Sequence, residues 1–218
     1  MSPALPVLWE GAKRPPRKWQ AEALPIILGA IRAKVRGVVS VTTGGGKSIG
    51  LAELCRLALP GAKAGGRAIV VATPTQSLVR QLSATVAERC GPWDVGQFYA
   101  DKKQADKTVI VTCNASLPSL AMEIAGQGRE VSLLISDECH SSESKTMRAT
   151  TPRLKPRFQI GFTATPFRSA ATQALSGWDE VIYRYTFADA LADGVLVPFS
   201  DHIKNWRGDG AADLDRVC

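Results

Sequence analysis

Short runs of apolar, β-branched residues alternate along this chain with stretches whose apolar positions recur every three to four residues. Val38-Val39-Ser40-Val41 reads as a buried strand, and so do Arg67 to Ala72, Lys107 to Cys113, Val131 to Ser136 and Phe158 to Thr163. Val95 to Tyr99 and residues 180–185 are further strand candidates. Helical spacing runs through Trp19, Ala23, Ile27 and Ile31 toward Gly37, with Pro25 expected to kink or split that helix. A second helix, through Ile49, Ala52, Leu57 and Ala58, is expected to stop at Pro60-Gly61. A third places Leu78, Leu82 and Val86 on one face behind a Thr75 cap and ends at Cys90-Gly91-Pro92. A fourth begins near Ser116, with Pro118 in its first turn and Gly126 as its stop, and residues 187–193 suit a fifth. The alternation predicts an α/β fold, a mostly parallel sheet covered on both faces.

One junction in that pattern carries chemistry. The first of these strands runs into Thr42-Thr43-Gly44-Gly45-Gly46-Lys47-Ser48, and a helix follows. Consecutive glycines let backbone N–H groups turn inward around phosphates, and the helix adds the positive end of its dipole. Lys47 can reach the outer phosphates and the Ser48 hydroxyl can ligate magnesium. The strict form of this loop has glycine where this chain has Val41, so a glycine turn without a nucleotide stays open on the loop alone.

A second junction lies where Leu133-Leu134-Ile135-Ser136 runs into Asp137-Glu138-Cys139-His140. In a parallel sheet, strand C-termini share one edge, so these acids should emerge beside the phosphate loop. Asp137 is placed to hold the magnesium and Glu138 to polarise the water that attacks the γ-phosphate. An exposed acidic strand end is the plain alternative for the pair by itself.

Composition narrows the setting. The 218 residues carry 27 Lys and Arg against 20 Asp and Glu, a net charge of +7. The excess gathers at residues 10–20 (Lys13, Arg14, Arg17, Lys18) and 143–157 (Lys145, Arg148, Arg153, Lys155, Arg157). Such patches suit a polyanion, or are solvated surface charge. The five cysteines are scattered, with no C-x-x-C pair, which excludes a zinc-site spacing and fits free thiols in a reducing cytosol. With no secretory pattern and no apolar span long enough for a bilayer, the expectation is a soluble cytoplasmic protein.

Taken in chain order, the motifs resemble those of the first RecA-like lobe of superfamily 2 helicases and translocases. Arg17-Lys18-Trp19-Gln20 looks like the family's adenine-recognition element. Thr43 to Ser48 matches motif I, where the family usually has alanine at the Val41 position. Ala72-Thr73-Pro74-Thr75-Gln76-Ser77-Leu78 resembles motif Ia, and Val111 to Leu117 a divergent motif Ib. Asp137 to His140 fits motif II of the D-E-x-H type, and Gly161 to Arg168 matches motif III. The passage from Phe187 to Pro198 resembles the link between lobes, closest to the branch holding type III restriction subunits and excision-repair helicases.

The resemblance implies a P-loop RecA-like domain that takes ATP and Mg2+. Arg17, Gln20, Thr43, Gly44, Gly45, Gly46, Lys47 and Ser48 would bind nucleotide, Ser48 and Asp137 metal, and Lys47, Asp137 and Glu138 would carry hydrolysis. It makes His140, with Thr163 and Thr165, the relay between nucleotide and motif III. Thr73, Thr75, Gln76 and Asn114 become candidate contacts to nucleic-acid phosphates, a sequence-independent mode. DNA is favoured over RNA as the track, and a second RecA-like lobe is the expected partner, in cis or trans. Residues 1–16 would form an N-terminal arm, 17–198 the ATP-binding lobe and 199–218 the start of a linker, leaving an isolated lobe of weak activity. Arg168, just after motif III on the same lobe, suits a surface or phosphate role better than a finger in cis. Two other classes stay open: a P-loop phosphotransferase, which leaves Asp137–His140 with Thr163–Thr165 unexplained, and a non-catalytic nucleic-acid-binding module, which has no need of Lys47, Asp137 and Glu138 together.

Overall fold

The computed structural model describes residues 8–13, 15–140, 145–165 and 177–198. The end of motif III (Pro166 to Arg168), the proximal arm and the linker at 199–218 lie outside the described residues. In chain order the elements are α1 (Lys18–Arg32), β1 (Gly37–Val41), α2 (Lys47–Ala64), β2 (Ala68–Thr73), α3 (Gln76–Cys90) and β3 (Val95–Tyr99). There follow β4 (Lys102–Lys103), β5 (Val109–Cys113), a 3-10 turn (Asn114–Ser116), α4 (Leu117–Gly126) and β6 (Val131–Asp137). The last are α5 (Lys145–Leu154), β7 (Phe158–Thr163), β8 (Glu180–Tyr185) and α6 (Phe187–Ala192).

The eight strands form one sheet in the order β4-β3-β5-β2-β6-β7-β1-β8. All pairings are parallel except the short β3–β4 hairpin. Strands β1, β2 and β5 are buried at every position, because helices cover both faces. Alternate residues serve two cores. Val39, Val41, Ile69, Val71, Ile135 and Phe162 face α1, α2 and α3, whereas Val70, Ile110 and Leu134 pack with Leu117, Leu120 and Ile124 of α4. The parallel register brings the ends of β1, β2, β5, β6 and β7 to one edge, where both chemical junctions sit.

The structure departs from the sequence reading at several places. Helix α1 runs unbroken through Pro25 and ends at Arg32; Gly37 instead opens β1. Helix α2 runs through Pro60-Gly61 to Ala64. Both prolines lie on exposed positions, and burial of Leu24 and Ile27 around the first and Ala62 beyond the second offsets each missing bond. Within residues 143–157, read only as a basic patch, Lys145–Leu154 form helix α5, which Thr150 and Leu154 anchor against the core. The distal arm is docked on α2 and α3. Trp9 donates its backbone N–H to Glu53 Oε1 at 2.7 Å, and Arg89 Nη2 donates to the Glu10 carbonyl at 3.1 Å.

Candidate active site

The phosphate loop has the backbone that its glycines permit. Gly44 and Gly46 stand at φ +77° and +88°, the left-handed region that disfavours side chains. A Cβ at Gly45 would lie 2.8 Å from the Thr42 carbonyl oxygen. Lys47 opens α2, with Ser48 half-buried beside it.

Across the sheet edge, β6 ends at Asp137 and the chain turns sharply, with Glu138 at φ +51°. That conformation is costly for a non-glycine residue and persists where the surroundings enforce it. Here it aims Glu138 at the loop: the Lys47 ammonium donates to Glu138 Oε1 in a partly buried ion pair. The lysine and the acids, 91 positions apart in sequence, therefore converge. Burial, and next the Glu138 charge, raise the Asp137 carboxyl above the usual range, against a lowering by Lys47. A bound divalent cation acts against both raising effects.

His140 sits one step further on. Its Nδ1 lies 2.8 Å from Thr163 Oγ1 and 3.3 Å from Glu138 Oε2, joining β6, β7 and the loop lysine in one chain of contacts. Thr165 enters it through its backbone N–H, which donates to Thr163 Oγ1 at 3.0 Å. Cys139 points away from this chain, buried over Gly161, and burial pushes its thiol up.

The first turn of α1 grips the phosphate loop. Arg17 Nη1 donates to the Gly44 carbonyl at 2.7 Å, Trp19 Nε1 to Gly45 at 2.7 Å and Gln20 Nε2 to Gly46 at 3.0 Å. Gln20 also accepts from the Arg17 backbone N–H at 2.9 Å, capping its own helix. Sequence reasoning marks Arg17 and Gln20 as nucleotide contacts and gives Trp19, in the same element, no role of its own; an indole in a helix pattern gives no sign of where its N–H points. It also missed Leu196, whose side chain lies 3.0 Å from the position of a Cβ on Gly44.

Of the expected nucleic-acid contacts, Thr75 and Gln76 are exposed at the start of α3, and Asn114 is half-buried at the end of β5. Thr75 caps α3, accepting from Leu78 N–H at 3.4 Å. Thr73 is fully buried, on the face of β2 turned to α2 and α3, so it does not reach a track on the surface. Its hydroxyl has no hydrogen-bond partner among the described residues.

Among the described residues no group of three or more His, Cys, Asp or Glu forms a protein-only metal cage. One carboxylate (Asp137) and one hydroxyl (Ser48) at a phosphate loop suit Mg2+, which keeps waters and takes its other ligands from phosphate oxygens.

Sheet order, phosphate loop and the acid–histidine turn together define a RecA-like ATPase lobe of superfamily 2 helicase type. The chain belongs to the family of the type III restriction enzyme res subunit, whose profile matches residues 13–168. The sequence has no match among curated proteins. Solved structures share the fold. A nuclease-deletion mutant of the type ISP restriction-modification enzyme LlaGI, in complex with a DNA substrate mimic, matches with TM-score 0.64 at 16% identity, over 84% of this chain and 21% of that one. The UvsW helicase of bacteriophage T4 matches with TM-score 0.59 at 17% identity, over 81% and 63%. The SWI2/SNF2 ATPase core of Sulfolobus solfataricus, in complex with dsDNA, gives 0.58 at 17%, over 71% and 33%. The chain thus spans less than two thirds of each of these proteins.

Proposed function

We propose that this chain is the ATP-hydrolysing lobe of a DNA helicase or translocase, and that it works with a second RecA-like lobe supplied in cis or trans. The Lys47–Glu138 contact at the shared strand edge carries the reading. A phosphotransferase loop needs its lysine, but not a carboxylate held against it and relayed through His140 to Thr163. The DNA named with two of the similar structures favours DNA as the track.

The residues divide the task. Backbone N–H groups of Gly44, Gly46, Lys47 and Ser48 would face the phosphates, that of Gly45 being donated to the Thr42 carbonyl, while Arg17, Trp19 and Gln20 hold three loop carbonyls. A triphosphate competes with Glu138 for the Lys47 ammonium, leaving Glu138 to orient and deprotonate water in line with the γ-phosphate. Ser48 and Asp137 would hold the magnesium, which neutralises charge on the phosphate oxygens. His140 and Thr163 carry the change at Glu138 to the end of β7. Thr75, Gln76 and Asn114 face the track at the neighbouring strand ends.

An arginine finger from a second lobe is worth about 10³–10⁵ in rate. The 218-residue protein should therefore bind ATP–Mg2+ weakly and turn it over very slowly. Nucleotide titration and phosphate release, with and without single-stranded DNA, test this; fast DNA-stimulated turnover by this chain alone contradicts it.

A further inference from the structure

Trp19 is 1% exposed and has one polar atom, whose proton goes to the Gly45 carbonyl at 2.7 Å. Its ring lies against Tyr185 and Tyr183 of β8, with centroids 5.9 and 6.5 Å away. The same strand holds the entry to the loop, since the Tyr185 carbonyl accepts from Thr42 N–H at 3.0 Å. On its other side the indole touches α2: a Cβ on Gly50 would lie 3.1 Å from Trp19 Cη2. The indole is thus fixed by strand and helix while its N–H fixes the middle carbonyl of the loop.

We infer that Trp19 is a positioning residue for triphosphate binding, setting the peptide plane between Gly45 and Gly46 so that the Gly46 N–H turns to the phosphates. A peptide plane is rigid, so a carbonyl held on one side commits the following N–H to the other. Without its donor the buried carbonyl is free to rotate inward, toward the anionic ligand. The role acts on the phosphates alone and leaves the base untouched. It rests on the ATP-binding reading above.

The experiment compares Trp19→Phe, which keeps an aromatic ring and removes the N–H, with the unaltered 218-residue protein. Affinities are measured by calorimetry for magnesium ATP and for magnesium tripolyphosphate, alongside the melting temperature. A lost bond to a buried acceptor is expected to weaken both ligands about tenfold. Gly50→Ala, which crowds the indole while favouring the helix, should weaken both in the same direction at a temperature where it is folded, and it decides the question if Trp19→Phe does not fold. Unchanged affinities in the folded variants, or a loss confined to ATP, overturn the inference. If the unaltered protein binds neither probe, the ATP-binding reading fails first and this one with it.

Discussion

At the scale of single residues, the site is built from groups with few alternatives. Lys47 faces Glu138, and Lys47→Ala should abolish nucleotide binding, as nucleotide titration by calorimetry would show. Gly45→Ala drives a Cβ into the Thr42 carbonyl, 2.8 Å away, and should cost as much affinity with the lysine intact. Thr163→Val removes the hydroxyl that meets His140 and the Thr165 N–H. It should leave ATP affinity unchanged while abolishing the DNA dependence of whatever hydrolysis the assembled motor shows; a DNA response equal to that of the unaltered protein would count against the relay. These residues were legible because phosphate, metal and water chemistry prescribe their types and spacing. Trp19 and Leu196 were not, since an apolar residue announces burial and nothing about its neighbours.

At the scale of elements, helices α2 and α3 meet around a charge that no periodicity reveals. Glu53 is fully buried; Arg56 Nη2 donates to its Oε1 at 2.8 Å, Arg89 Nε donates to its Oε2 at 3.0 Å, and the Trp9 backbone adds a third donor. Burial alone would raise this carboxyl, but the bonds from Arg56, Arg89 and Trp9 overcome it and hold it below the usual value. A depressed carboxylate contributes stability that is present above its unfolded-state value of 4.5 and is lost as pH falls through the lower folded value. Acid unfolding should accordingly steepen below about pH 4.5, and less so in Glu53→Gln, in a denaturation series read against pH. Glu53→Ala, which strands two guanidinium groups, should cost about 3–5 kcal/mol and open residues 8–12 to protease. The element types themselves were readable, because strand runs and helical spacing differ in period. Boundaries at Pro25 and Pro60 were not, since neighbouring burial outweighs a local preference, and α5 was hidden because its sequence is polar overall, with few apolar residues to mark a buried face.

At the scale of the whole molecule, parallel pairing decides what meets what. The phosphate loop follows β1 and the acids follow β6, with β7 between them, so a linear order of motifs becomes one edge. That much follows from strands that must all run the same way. Strand β8 closes the far side: it pairs in parallel with β1 from Gly37 to Val41 and lies beyond the segment that the family profile matches. Cutting the gene at the profile's limit would strip that partner from Gly-Val-Val-Ser-Val and bare a ladder of unpaired amides beside the nucleotide. Such an exposed border recruits other chains. Anyone shortening this protein for crystals or screening should therefore keep it through residue 198, and should expect inclusion bodies from a shorter version.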